Sequence, residues 1–262
     1  MDKQAIDTIL ANSAATLIQR DGDGKPFVIA NENYRAIDVE KFLETPVRTI
    51  GNITVTTEAS FLAYFSRFAL PNSAVFFDDK NHNIIGIIDY DAPDKPAWSD
   101  HKVGYNCPLS TEWKTWQQND RKKMNQEDFA EFIENNMRDF VNPNGATMLE
   151  IATKFKVIRK ASFGSSIRLA SGEVQFQFSE ENQKGTIEIP ETFSLGLAPF
   201  KSGQKYSLDA RLRYRVREGT LVLWYELIDA EQVIDDAFAN IADNVKKSVG
   251  ENTLTVFATS TI

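Results

Sequence analysis

The second half of the chain is dominated by segments with the composition of β-strands. Between residues 157 and 228, five runs rich in β-branched and aromatic side chains are separated by turn-forming residues. They cover residues 157–169, 173–179, 186–197, 206–217 and 220–228. This pattern predicts an antiparallel meander, in which Glu218 and Gly219 give the clearest hairpin turn.

An amphipathic helix is predicted directly after the meander. Residues 230–248 place apolar side chains on one helical face, carry Lys246 and Lys247 in the last turn, and are followed by Gly250. The stretch 253–262 alternates loosely between threonine and apolar residues, so it predicts a strand that must pair with another strand.

The first half mixes helical and strand patterns. Strands are predicted at residues 26–30, 53–57, 74–78 and 84–90, and helices at 2–20, 58–69, 111–118, 126–138 and 146–156. Ser110 and Asn125 are placed to cap two of these helices. Residues 91–109 contain three prolines and several aromatic residues, which indicates a long loop and a place to seek a site.

The sequence therefore predicts an α+β fold. An N-terminal α+β half, residues 1–157, precedes an antiparallel sheet closed by a C-terminal helix and a strand-like tail, residues 158–262. The two parts form separate domains or one fused domain. With 262 residues, of which 42% are hydrophobic, the chain can bury a substantial core.

Charge and residue usage exclude several classes of function. The chain has 29 Lys and Arg against 37 Asp and Glu, a net charge of -8, which opposes indiscriminate binding to nucleic acid or anionic lipid. Cys107 is the single cysteine, and His82 and His101 are too few for a multi-histidine metal cage. Neither a signal peptide nor a membrane span is indicated, so we expect a cytoplasmic protein. No cofactor-binding motif is present, and we expect no cofactor.

Four arginines alternate with apolar residues in one predicted strand. Because strand side chains switch faces at every residue, Arg211, Arg213, Arg215 and Arg217 should project from one face, about 6 to 7 Å apart. Such a stripe could follow a phosphate backbone. The alternative is cross-strand pairing on a solvated face, and the candidate partners are Glu226, Glu188, Glu173 and Asp209.

Aromatic and basic residues lie close together around the predicted loop. Trp98, Tyr105, Trp113 and Trp116 precede the basic run Arg121, Lys122 and Lys123. Aromatic rings beside cations suit single-stranded nucleic acid, through base stacking and charge neutralisation. Alternatively, Trp113 and Trp116 share a helical face and serve as core anchors.

Acidic residues cluster at the ends of the hairpin predicted from residues 74–90. Asp89, Asp91 and His101 could assemble a divalent metal site for a phosphoesterase. The alternative is that these acids are ordinary turn-forming residues. Cys107 has no adjacent base apart from His101, and a small buried hydrophobe is the favoured interpretation of it.

Several blocks of sequence occur in a distinctive order along the chain. They include Ile88-Asp89-Tyr90, Pro96-Ala97-Trp98, Ser110-Thr111-Glu112-Trp113, Met148-Leu149-Glu150-Ile151-Ala152 and Ala210-Arg211-Leu212-Arg213-Tyr214-Arg215. These blocks resemble the YfdQ-like proteins, an uncharacterised family encoded by phages and prophages. The resemblance covers residues 40–240 approximately. It implies a phage or prophage origin and the cytoplasm of a bacterial host, and it assigns no catalytic residue.

Three hypotheses follow from these features. The first is a non-enzymatic phage accessory protein that binds single-stranded nucleic acid through the arginine stripe, Trp98, Tyr105 and residues 121–123. The second is a self-assembling homo-oligomer, in which residues 254–258 extend the sheet of a neighbour. The third is the metal-dependent phosphoesterase.

Overall fold

The structure, a computed structural model, describes most of the chain. The described residues are 19–20, 22, 26–30, 35–38, 42–157, 162–168, 174–180, 183–217 and 220–258. The chain separates into two compact units, Met1–Asn52 and Ile53–Ile262. The predicted division near residue 157 stays a prediction.

The first unit contains a small antiparallel sheet. Its strands are β1 (Gln19–Arg20), β2 (Pro26–Ala30) and β3 (Arg35–Asp38), in the order β1-β2-β3. The predicted strand at residues 26–30 is confirmed. The helix predicted over residues 2–20 is wrong at its end, because Gln19 and Arg20 pair with β2; residues 1–18 lie outside the described part.

Most described elements follow in the rest of the chain. The first group comprises β4 (Gly51–Val55), α1 (Glu58–Phe68), β5 (Ala74–Asp78), β6 (Asn83–Ile87), β7 (His101–Asn106), α2 (Thr111–Gln118), β8 (Met124–Asn125), α3 (Gln126–Asn135), β9 (Phe140–Asn142) and α4 (Gly145–Val157). The second group comprises β10 (Ser162–Arg168), β11 (Val174–Glu180), β12 (Gln183–Ile189), β13 (Thr192–Leu197), β14 (Tyr206–Arg217), β15 (Thr220–Leu227), α5 (Ala230–Val249) and β16 (Leu254–Phe257). The described helices and sheets confirm the predicted α+β class.

One five-stranded sheet has the order β16-β5-β6-β7-β4. The predicted β5–β6 hairpin is confirmed, and β16 pairs in parallel with β5 of the same chain, Leu254 opposite Ala74. Helix α1 packs its Phe65 ring onto Gly86 of β6, where an added Cβ atom would lie 2.7 Å from the ring. Gly86 therefore allows the helix to approach the sheet closely.

The loop predicted at residues 91–109 is wrong over its second half. Residues 101–106 form β7, in which alternate side chains, those of His101, Val103 and Tyr105, are buried. Flanking prolines and the intervening Gly104 conceal this two-residue period, because they are typical of loops.

A second five-stranded sheet, antiparallel throughout, has the order β8-β15-β14-β13-β9. The predicted β14–β15 hairpin is confirmed, with Arg217 opposite Thr220. The single strand predicted at residues 186–197 is wrong, since β12 belongs to a separate β10-β11-β12 sheet and β13 to this one. Pro190 stands between them and lacks the backbone donor that a continuous central strand needs.

The helix ends follow the predicted caps. The Ser110 hydroxyl accepts the Trp113 N–H at 3.0 Å, and the Asn125 side chain accepts the Asp128 N–H at 2.9 Å. Helix α3 ends at Asn135, earlier than predicted, and is followed by a short 3-10 helix, Met137–Asp139. Helix α5 confirms its predicted apolar face and ends at Val249. The next residue, Gly250, has a φ of +88°, which favours glycine.

An aromatic cluster around Trp116 covers the inner face of the second sheet. The ring centroid of Trp116 lies 5.0 to 6.1 Å from the ring centroids of Phe132, Phe140, Phe193 and Tyr225. The Trp116 indole donates to Asp139 Oδ2 at 2.8 Å, and the Tyr225 hydroxyl donates to the Trp116 carbonyl at 2.7 Å. Trp113 and Trp116 are both buried, so their interpretation as core anchors is confirmed.

No helix within the described residues is both long enough and apolar enough to cross a membrane.

We predict that Asp139→Leu destabilises the protein by about 1 to 3 kcal/mol, because it leaves the buried Trp116 N–H without an acceptor. Urea denaturation measures this free energy of unfolding. The control is Arg138→Leu at the neighbouring, exposed position, which should change stability by less than about 1 kcal/mol. Equal losses in the two variants would contradict the role of the Trp116–Asp139 hydrogen bond.

Candidate nucleic-acid interface

Strand β14 presents its arginines on the outer face of the second five-stranded sheet. Leu208, Ala210 and Leu212 are buried on the inner face, so the alternating residues between and after them point away from the core. Arg211 and Arg215 are exposed and Arg213 is half-buried. The prediction of one common face is thus confirmed for these three; Arg217 lies in β14, but its side chain is outside the described part.

The hairpin register brings Trp224 and Glu226 of β15 to the same face. Trp224 lies opposite Arg213, and Glu226 lies opposite Arg211. We call the surface formed by Arg211, Arg213, Arg215, Trp224 and Glu226 the arginine face. The sequence analysis did not identify Trp224. The predicted hairpin turn at Glu218 and Gly219 was the signal that could have found it, because a two-residue turn sets Trp224 opposite Arg213, as observed.

Glu226 forms the centre of a hydrogen-bonded group on the arginine face. Arg213 Nε donates to Glu226 Oε2 at 3.2 Å, and Trp224 Nε1 donates to Glu226 Oε1 at 3.3 Å. Burial acts to raise the pKa of Glu226, but these two hydrogen bonds and the charges of Arg213 and Arg121 outweigh it, and the pKa lies below its ordinary value of 4.5. Glu226 therefore stays ionised at neutral pH and fixes both neighbours.

Of the four acidic side chains predicted to pair with the arginines, the structure describes those of Glu226 and Asp209. Cross-strand pairing with Glu226 is confirmed for Arg213. Asp209 instead accepts a hydrogen bond from the Ser194 hydroxyl at 2.7 Å. The side chains of Glu173 and Glu188 lie outside the described part.

The basic run at residues 121–123 reaches the arginine face from the edge of the sheet. It directly precedes β8, which pairs with β15. Lys123 Nζ lies 5.9 Å from the centroid of the Trp224 ring, and the Arg121 N–H donates to the Tyr225 carbonyl at 2.8 Å. Lys122 Nζ donates to Asn119 Oδ1 at 3.2 Å. The basic run and the hairpin that bears the arginine face, which are separate in sequence, therefore meet at Trp224.

The two aromatic residues predicted for this interface lie in the other part of the fold. Trp98 is 65% exposed and belongs to the loop that leads to β7 of the first five-stranded sheet. Tyr105 is only 2% exposed within β7, and burial raises the pKa of its hydroxyl. Tyr105 is thus a core residue, and its predicted role as a stacking platform is wrong because its ring faces no solvent.

The acidic residues of the hairpin region bind backbone groups. Asp89 accepts the N–H groups of Asp100 and His101 at 3.1 and 2.9 Å, and Asp91 accepts that of Ala97 at 2.7 Å. His101 is buried, with Nε2 2.9 Å from the Tyr64 hydroxyl. Over the part of the chain that the structure describes, no group of three His, Cys, Asp or Glu is arranged to hold a metal ion. These contacts favour the turn-forming interpretation of the acids.

Cys107 is enclosed by the core. Burial raises the pKa of its thiol to about 12, so the thiolate is scarcely populated at neutral pH. This agrees with its interpretation as a small buried hydrophobe.

The fold and this surface define a class: an α+β protein with a basic, tryptophan-bearing outer face on an antiparallel sheet. The chain belongs to the DUF2303 family, described as an uncharacterised conserved protein, whose family model matches residues 1–259. A search of curated proteins and a search of solved structures each found no match.

We predict that Arg213→Gln raises the pKa of Glu226 toward 4.5, because it removes a hydrogen bond and a positive charge from the carboxylate. An NMR titration of the Glu226 carboxyl carbon measures the shift. Since the folded-state pKa is the lower one, the stability that this pair contributes is present above pH 4.5 and is lost as the pH falls through the folded-state value. Arg211→Gln is the control and should shift the pKa less; the reverse order would disprove the assignment.

Proposed function

We propose that the arginine face binds single-stranded nucleic acid and that the protein is a binding module, without catalytic activity. The observation that supports this proposal is the convergence of Arg211, Arg213, Arg215, Lys123 and Trp224 on one solvent-facing surface. Cations that follow the backbone and an aromatic ring that stacks on bases are the two components of such a site.

The spacing of the arginines suits a phosphate backbone. Successive outward side chains on a strand are about 6 to 7 Å apart, similar to adjacent phosphates of an extended single strand. The planar guanidinium also matches phosphate oxygens with two parallel donors. Because Glu226 neutralises part of the charge of Arg213, the exposed Arg211 and Arg215 are the main phosphate contacts in this proposal.

Trp224 supplies the stacking surface. Its indole N–H is held by Glu226, so the ring has a fixed orientation on the sheet. Lys123 Nζ lies over the ring, 5.9 Å from its centroid, and in this proposal it turns outward to pair with a neighbouring phosphate when a base stacks there. Stacking on an aromatic ring tolerates every base, and we therefore expect little sequence preference. The net charge of -8 confines binding to this local surface and makes it sensitive to salt.

The biological setting is part of the same proposal. The resemblance to YfdQ-like proteins supports a phage or prophage accessory protein that acts in the cytoplasm of a bacterial host. In this proposal, single-stranded nucleic acid is the partner in that setting.

Replacing Arg211 and Arg215 with glutamine should weaken binding to a fluorescent oligothymidylate and reduce its salt dependence. Each lost phosphate contact lowers the slope of log K against log salt by about 0.7, so the double variant should lose about 1.4. Fluorescence anisotropy at several salt concentrations measures both quantities. The matched control replaces two exposed lysines elsewhere, Lys114 and Lys201, and should retain the wild-type slope.

The same titration separates stacking from charge. Trp224→Ala should weaken binding at least fivefold at every salt concentration, since stacking on one base contributes about 1 to 3 kcal/mol, whereas Trp224→Phe should retain most of it. Trp98→Ala tests the other exposed tryptophan and should have little effect. Unchanged affinity in both the double arginine variant and Trp224→Ala would overturn the proposal.

We propose self-association as a second function, because the outer edge of β16 is suited to it. The Ala258 N–H donates to the Phe77 carbonyl, so alternate residues of the tail face β5 while Thr255 and Phe257 direct their backbone groups away from it. No described strand pairs with that outer edge. Residues 253–262 contain neither charge nor proline, the features that normally protect an edge strand. A second copy of β16 could pair there about a two-fold axis without charge repulsion.

Thr255→Pro tests this second function, because it removes an outward N–H and leaves the bonds to β5 in place. Wild-type protein should have the mass of a dimer or larger assembly in light scattering, and the proline variant should be monomeric. Thr255→Val retains the N–H and should match wild type. A monomeric wild-type protein would rule out self-association at this edge.

A further inference from the structure

A cavity of about 300 Å³ lies beside the start of β14, and its lining includes none of the residues of the arginine face. It is formed by the first turn of α1, the segment between β13 and β14, the start of β14 and one face of α5. We call it the amide pocket. Side-chain amides and hydroxyl groups line much of it, namely those of Ser202, Gln204, Tyr206, Asn240 and Asn244.

The polar groups of the amide pocket are positioned by the fold. Asn240 and Asn244 are four residues apart on α5, so they lie one turn apart on the same side of the helix. Asn240 Nδ2 donates to the Tyr206 hydroxyl oxygen at 2.9 Å, which leaves the Tyr206 hydroxyl proton to be donated elsewhere. Phe200 and Ile241 are buried and supply an apolar floor.

Glu58 gives the pocket its electrostatic character. Among the described residues that line the pocket, Glu58 alone carries a charge. The side chain is half-buried at the first position of α1, where the helix N-terminus favours an anion, but burial raises its pKa. A ligand cation would offset that desolvation, since no lining side chain does.

We infer that the amide pocket binds a small polar molecule with one protonated primary amine, which pairs with Glu58 while its hydroxyl or carbonyl groups bind the amides and Tyr206. A volume of about 300 Å³ is at the lower end for ligand sites, so the molecule is of monosaccharide size. Amino sugars have this combination of charge, hydroxyl groups and size. The inference is independent of the arginine face, with which the pocket shares no residue.

Calorimetric titration with glucosamine tests the inference, at a near-neutral pH that keeps most of the amine protonated and favours the ionised form of Glu58. Glucose serves as the neutral isostere. Wild-type protein should bind glucosamine at least about tenfold more tightly than glucose, because a charged hydrogen bond contributes about 1.5 to 3 kcal/mol. Glu58→Gln should abolish this preference. The control, Glu112→Gln, removes a carboxylate from the first turn of another helix and should preserve it.

NMR spectra of the side-chain amides locate the binding. Glucosamine should shift the Asn240 and Asn244 amide signals of wild type, and Asn244→Ala should weaken binding. Absence of saturable glucosamine binding, or a preference that survives Glu58→Gln, would overturn the inference. The Glu58→Gln variant should bind oligothymidylate as tightly as wild type does. A negative result for glucosamine binding would therefore leave the proposed nucleic-acid binding unaffected.

Discussion

The buried indole of Trp116 holds together the sheet on which the proposed interface depends. The indole N–H donates to Asp139, and the backbone carbonyl of Trp116 accepts a hydrogen bond from the Tyr225 hydroxyl. These two bonds connect α2, the 3-10 helix and β15 inside a closed aromatic cluster. That cluster covers one side of the sheet, where alternate residues of the two strands are buried, namely Leu208, Ala210 and Leu212 of β14 and Leu221, Leu223 and Tyr225 of β15. The arginines between them are consequently on the solvent side. The outer surface is thus a consequence of how the inner one is packed.

Local signals predicted much of the fold. Residues close in sequence determine the helix caps at Ser110 and Asn125, the apolar face of α5 and the alternation of β14. Short-range sequence patterns therefore predict these features. The sequence did not predict strand β7, because one of its buried residues is a histidine and prolines lie on either side of it. The assignment of β12 and β13 to different sheets depends on long-range pairing, which no single segment encodes.

The candidate site was predictable only in part for the same reason. The arginines and Glu226 follow from alternation and register within one hairpin. In the sequence, Tyr105 cannot be distinguished from an exposed aromatic residue near basic ones. Its burial depends on tertiary packing, which the local sequence does not encode. The meeting of residues 121–123 with Trp224 requires the pairing of β8 with β15, two segments about a hundred residues apart. The overall acidity of the chain gave no sign of this local basic surface.

The parallel pairing of β16 with β5 has a consequence for synthesis of the protein. All five residues of β5 are buried in the finished sheet, yet the strand that covers one of its edges is translated only after α5. A nascent chain therefore carries a bare apolar strand edge while most of its length is made. Until residues 254–257 are synthesised, that edge is open to pairing with strands of other chains, which makes the incomplete chain prone to aggregation.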